Sequence, residues 1–86
     1  MDRIELARII EAEALSNPAL TTDERHRADA VVLEEGDGQW TVYLNSERGW
    51  PIGSTVRTFD NESEALDRVL LKLRQVKTVE RHFGRD

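Results

Sequence analysis

The stretch ADAVVLEEGDGQWTVYLN, residues 28–45, decides the fold. It opens with an apolar run from Ala28 to Leu33, closes with an alternating run from Trp40 to Leu44, and holds Glu34-Glu35-Gly36-Asp37-Gly38 between them. β-Branched and aromatic residues favour a pleated, half-buried surface, and Asp37-Gly38 supplies residues that tolerate the positive φ angles of a tight hairpin turn. The reading is a β-hairpin with strands over residues 28–34 and 39–45. Side chains alternate between the two faces of a strand, so Trp40, Val42 and Leu44 share one face while Thr41, Tyr43 and Asn45 share the other. The Trp40 face is expected to be buried and the Tyr43 face partly wet.

Toward the C-terminus, the ten-residue connection NSERGWPIGS leads to TVRTF, residues 55–59. A third strand is expected over 54–59, with Val56 pointing one way and Thr55, Arg57 and Phe59 the other. Asn61 then stands where a helix can be capped, and Glu64, three residues on, can return the hydrogen bond in a capping box. Ala65, Leu66, Val69, Leu70, Leu73 and Val76 form one stripe at helical periodicity, which predicts a helix over 61–78 and a fraying continuation through 86. Toward the N-terminus, RIELARIIEAEAL predicts an amphipathic helix over 3–15, with Ile4, Ala7, Ile10 and Ala14 spaced at three to four residues and Leu6 and Ile9 broadening the stripe. Ser16-Asn17-Pro18 stops that helix, and the polar stretch to about Arg27 reads as a connection. The fold class is α+β in the order α-β-β-β-α. It is a single domain over residues 1–86, a three-stranded antiparallel meander with both helices packed on one face. The second sheet face, with Tyr43, Thr41 and Arg57, is expected to be uncovered, as a hydrated surface or a docking surface.

Composition narrows the function classes. The 86 residues are 38% apolar and 34% charged, so the core is small and two layers are the natural limit. Without cysteine there is no disulfide framework, no thiolate metal site and no cysteine nucleophile. No apolar run approaches the roughly 18 residues of a membrane span, and the acidic, interrupted N-terminus does not read as a signal peptide. The expectation is a soluble, cytoplasmic chain with no membrane partner. The net charge of −5 weighs against nucleic acid as a partner, because neutralising phosphates needs an excess of lysine and arginine. Residues 1–35 hold nine acids against four bases, whereas residues 68–85 hold six bases and one acid. An acidic side can steer a basic protein partner; equally, both regions can be ordinary solvated faces.

The residue types for covalent chemistry do not converge. His26 and His82 stand in a polar connection and in the C-terminal segment; Asp23 and Asp29 lie three residues to either side of His26, but no second histidine or carboxylate shares an obvious common face with either, so no metal site is expected. Glu34 and Glu35 are adjacent on a strand and diverge to opposite faces, which is wrong for paired acid–base work. The serines lack a nucleophile-elbow context, and Gly36-Asp37-Gly38 is not followed by a helix that could present N–H groups to a phosphate. An enzyme is not expected, and no cofactor is implied. The connection SERGWPIGS is more informative: Glu47 and Arg48 bring both charges, and Trp50-Pro51-Ile52 places large apolar groups in a loop. Tryptophan and arginine are residue types that anchor interfaces. The alternative is that Trp50 and Ile52 fold back over the core while Gly49 and Gly53 make turns.

The run WTVYLNSERGW followed by RTFDNESEALDRVLLKL resembles the small α+β immunity proteins encoded beside bacterial polymorphic toxins. The pattern is a W-x-V-Y strand, then S/N-E-R-G, then F-D-x-E-x-E-A opening a helix. It falls on Trp40, Val42, Tyr43, Ser46, Glu47, Arg48 and Gly49, and then on Phe59, Asp60, Glu62, Glu64 and Ala65, within roughly residues 40–73. The proline and isoleucine after Trp50 depart from it by lengthening the loop. The resemblance implies a non-enzymatic cytoplasmic antitoxin that binds one cognate toxin and blocks its active site or substrate access. A toxin with a basic active site, such as a nuclease or a nucleotide-hydrolysing enzyme, suits the acidic chain best. The contact residues expected are Tyr43, Glu47, Arg48 and Trp50, with Glu34, Glu35 and Asp37 adding negative potential from the neighbouring turn. The competing reading is a small adaptor or regulatory module that pairs through an exposed sheet edge, including with its own copy as a homodimer. A nucleic-acid-binding role for the basic C-terminal helix is opposed by the overall charge.

Overall fold

The computed structural model describes residues 1–83. Helix α1 spans Arg3–Glu13, strand β1 Val31–Gly36, strand β2 Gln39–Leu44, strand β3 Arg57–Phe59 and helix α2 Glu62–Phe83, with short 3-10 turns at Thr22–Glu24 and Gly53–Thr55. The strands form one antiparallel sheet in the order β1-β2-β3. This is the α+β meander expected, with Gly84 to Asp86 and the helix end assigned to them lying outside the described residues.

The β1–β2 hairpin closes through Asp37 and Gly38, whose φ angles of 54° and 76° are the pair that a two-residue turn between right-twisted strands requires. Register then fixes the faces. Val31 opposes Leu44, Leu33 opposes Val42, and Trp40 opposes Phe59, which directs these side chains toward the helices. There they join Leu6 and Leu15 from the α1 end and Ala65, Leu66, Val69, Leu70 and Leu73 from α2 in one apolar cluster. The α2 stripe is the one read from periodicity. Its start is capped by the side chain of Asn61, which accepts from the Glu64 N–H at 2.8 Å; no hydrogen bond returns from the Glu64 carboxylate among the described residues.

Helix α1 presents a different face from the one its spacing suggested. Ile4 is 67% exposed and Ala7 and Ala14 are exposed, whereas Leu6 is buried and Ile9 and Ile10 are half-buried. Leu6, with Ile9 and Ile10 beside it, makes the contact with the core, and Ile4 is left outside it. The next residue on that flank, Glu13, reaches across to Arg74 with two contacts at 2.5 and 3.0 Å. The helix ends early, at Glu13, because Ala14 turns to left-handed angles (φ 54°, ψ 46°).

Two strand boundaries also move. Strand β1 begins at Val31 rather than 28, because Asp29 takes a φ of 58° and breaks the extended run. Strand β3 begins at Arg57 rather than 54, since Thr55 sits in a 3-10 turn and uses its hydroxyl in place of a ladder bond. That hydroxyl donates to the Ile52 carbonyl at 2.6 Å and accepts from the Leu44 N–H at 2.9 Å.

The largest departure concerns the second sheet face, which is partly covered. Ala19 runs parallel alongside β1, its N–H donating to the Val31 carbonyl at 2.8 Å while its carbonyl accepts from Leu33 at 2.9 Å. The chain then crosses toward the end of β2, where Asn45 holds it: Nδ2 donates to the carbonyls of Arg25 and Arg27 at 2.8 and 2.9 Å. Beneath this segment Ala19, Ala30, Val32 and Tyr43 form a second small cluster, with Val56 against it. Tyr43 is only 6% exposed, so the expected wet face is dry at that end. Arg57 is not on it either, because it opposes Val42 and therefore starts from the helix side. Only the far end, where Thr41 and Thr58 meet at 3.5 Å, reaches the surface.

Candidate functional site

Between β2 and β3 the chain continues the antiparallel pairing past the strand ends and then turns sharply. Asn45 bridges Pro51, the Ile52 N–H donates to Leu44, and the Ser46 N–H donates to the Trp50 carbonyl at 2.8 Å. The turn Ser46-Glu47-Arg48-Gly49 is closed by the Gly49 N–H on the Ser46 carbonyl, at 2.9 Å. The Ser46 hydroxyl adds an acceptor for the Arg48 N–H at 3.3 Å and the Trp50 N–H at 3.4 Å. Gly49 is essential to this geometry. Its φ is +81°, and a Cβ there would lie 2.3 Å from the His26 carbonyl oxygen, so only glycine lets the turn rest against the 25–28 backbone.

The tip is therefore built as a rigid hairpin. Trp50, its largest side chain, is 67% exposed and contributes nothing to either apolar cluster; Glu47 and Arg48 are exposed beside it. Ile52 is half-buried and belongs to neither cluster. Next to the tip a groove of about 780 Å³ runs between the hairpin and α2. Leu44, Ile52 and Val76 line it with apolar surface, Asp29 and Glu47 stand in one wall, and Lys72 and Gln75 in the other. Neither Asp29 nor Glu47 has a cationic group within 4.0 Å among the described residues.

The seven residues singled out from sequence do not form one patch. Glu47, Arg48 and Trp50 come together at the tip. Glu35 and Asp37 are exposed at the opposite end of the sheet, where the β1–β2 turn lies, and the length of β2 separates the two ends by about 20 Å at roughly 3.3 Å per residue. Screening over about 8 Å at physiological salt leaves little of their potential at the tip. Glu34 is half-buried on the second face, paired with Arg25 at 3.5 Å and next to Tyr43. Tyr43 is enclosed in the second cluster. Burial, reinforced by the neighbouring Glu34 carboxylate and opposed weakly by Arg25, pushes its hydroxyl up to about 12.

What sequence reasoning missed is Asp29 and the groove. The groove joins residues from the start of β1, the end of β2, the tip and α2, separated by up to 47 positions, so no local pattern announces it. Val76, the last residue of the α2 stripe, touches both the core and the groove, and its place in the stripe announces only the first. Among the described residues no helix is long and apolar enough to cross a membrane, and no group of three metal-ligating side chains gathers. No protein-family model, curated protein or solved structure matches this chain.

Proposed function

We propose that this chain is a non-enzymatic immunity protein of the bacterial cytoplasm, which binds a cognate toxin domain and occludes its active site or the approach to it. The observation that carries the reading is Trp50 held out of the core on a hydrogen-bonded tip. A large aromatic on a pre-ordered turn loses little conformational freedom on binding, which is the property of an interface anchor. Beside that anchor Glu47 and Asp29 stand without an ion-pair partner among the described residues, two carboxylates suited to engage basic residues around a partner's active site. Charge sets the rate of encounter, and burial of Trp50 with the groove's apolar floor sets the lifetime of the complex.

The competing adaptor reading needs an exposed sheet edge for homodimer pairing. The outer edge of β1 already carries Ala19, which leaves β3 with three residues, a short template for strand addition. The direct experiment is to express the protein encoded by the adjacent open reading frame, assay its toxic activity, and titrate this chain into it. Inhibition that completes at one equivalent supports the reading. Full toxin activity in the presence of a several-fold excess contradicts it.

A further inference from the structure

Two neighbouring features of the chain find no use within it. At the tip, Trp50 is 67% exposed, and the exposed Arg48 has no carboxylate partner among the described residues. Beside the tip, the groove between the hairpin and α2 has an unfilled apolar floor of Leu44, Ile52 and Val76, with Asp29 and Glu47 in one wall and Lys72 in the other. None of these three charged groups forms an ion pair among the described residues. Trp50 does not line the groove of its own chain, and the hydrogen bonds of the Ser46–Gly49 turn fix the backbone that carries it. Yet the tip holds, within four residues, what the groove lacks: an indole for the floor, a guanidinium for the Asp29 wall and, in Glu47, a carboxylate for Lys72.

We propose that two copies of this chain pair in solution by exchanging tips, Trp50 of each lying in the groove of the other. Glu47 belongs both to the tip and to the groove wall, so anchor and receptor form one continuous patch. Such a patch is self-complementary under a two-fold axis, and the association closes at two copies instead of growing into a chain. Arg48 of the second copy then stands against Asp29, and its Glu47 against Lys72, so that opposite charges meet in both directions and fix the orientation. Burial of the indole on the apolar floor supplies most of the affinity. One turn against one groove on each side is a small contact, which makes the pair transient, not obligate. It also leaves the edge of β3 free, unlike pairing by strand addition. On the immunity reading the same surface meets the toxin, so the two copies part when the toxin binds; the pairing itself rests on the tip and groove alone.

The experiment is sedimentation equilibrium of the full chain from about 10 μM to 1 mM, the range in which a transient pair forms and separates, with 1H–15N NMR spectra at both ends of the range. It requires no toxin, so its outcome is separate from that of the immunity reading. A reversible monomer–dimer equilibrium is expected, with concentration-dependent shifts centred on residues 44–52 and 72–76. Every substitution counts twice in a two-fold pair. Trp50→Ala, at an exposed position, is expected to weaken pairing about 30-fold or more while keeping the thermal midpoint of the dilute chain. Arg48→Gln and Asp29→Asn, the latter retaining a residue type that tolerates the φ of 58°, are each expected to weaken it about fivefold. A monomer at every concentration overturns the proposal, as does a dimer that Trp50→Ala leaves unchanged. Shifts centred on residues 57–59 overturn it in favour of the sheet edge, and assembly that continues beyond two copies overturns the reciprocal exchange.

Discussion

Gly49 and Asn45 hold the tip in place from two sides, one by having no side chain and the other by spending both donors of its amide. Gly49→Ala must relieve a 2.3 Å contact with backbone as well as a φ of +81°, so a loss of about 2–4 kcal/mol is expected in urea denaturation. Gly38→Ala shares the positive φ but meets open space, and should lose only about 1 kcal/mol. Asn45, 1% exposed, offers a sharper contrast. Asn45→Ala leaves two carbonyls unpartnered, at a cost of about 2 kcal/mol, while Asn45→Asp aims a carboxylate at them and should be worse. Equal stabilities of the two variants would remove Asn45 from its role as the tie between the 25–27 segment and β2.

Tyr43 gives a signature in alkali. Its folded value of about 12 lies above the ordinary value of 10.0, so the folded state holds the proton more tightly than the unfolded state. The corresponding stability is complete below pH 10 and is lost as pH rises through 12, a total of roughly 3 kcal/mol. Tyr43→Phe removes the titration. Between pH 9.5 and 11.5 the wild type should therefore lose more stability than the variant, as measured by chemical denaturation at each pH; parallel curves would place the hydroxyl in water.

At the scale of elements, legibility followed periodicity. The α2 stripe, the Asp37-Gly38 turn and the inward set Trp40, Val42 and Leu44 each repeat a local rule several times, and each stands where the sequence pattern puts it. The starts of β1 and β3 do not, because single residues decide them through contacts distant in sequence: Asp29 through the Ser46 carbonyl, and Thr55 through the Leu44 N–H. The cover over Tyr43 was illegible for the same reason. Residues 19–30 have no period of their own and are held by backbone pairing of Ala19 and by one buried asparagine. Helix α1 ends on Ala14 in left-handed angles, where glycine loses the steric penalty of a Cβ. Ala14→Gly is accordingly expected to raise stability by about 0.5–1 kcal/mol, read from the thermal midpoint. A lower midpoint would show that helix propensity outweighs the cap.

For the whole molecule, the chain divides its surface into separate charged regions. The β1–β2 turn carries Glu35 and Asp37 at one end of the sheet, and the tip carries Glu47, Arg48 and Trp50 at the other. The candidate site was thus half legible. The tip could be read from residue types, because Trp, Arg and Glu in a glycine-flanked loop are what an interface needs, but its separation from the β1–β2 turn is a property of register and strand length. The immunity reading now concentrates recognition on the tip and groove. Glu35→Lys, about 20 Å away, should change affinity for the toxin little at physiological salt, a result that salt-dependent binding kinetics would check. A large loss would return the acidic turn to the interface.

The most direct test is the equilibrium affinity of the toxin domain for the wild-type chain, Trp50→Ala and Glu47→Lys, each verified to keep its thermal midpoint. If the tip is the anchor, Trp50→Ala weakens binding by about 30-fold or more, the effect of losing an interface hot spot, and Glu47→Lys slows association with a basic partner. Wild-type affinity in both variants would contradict occlusion through this surface.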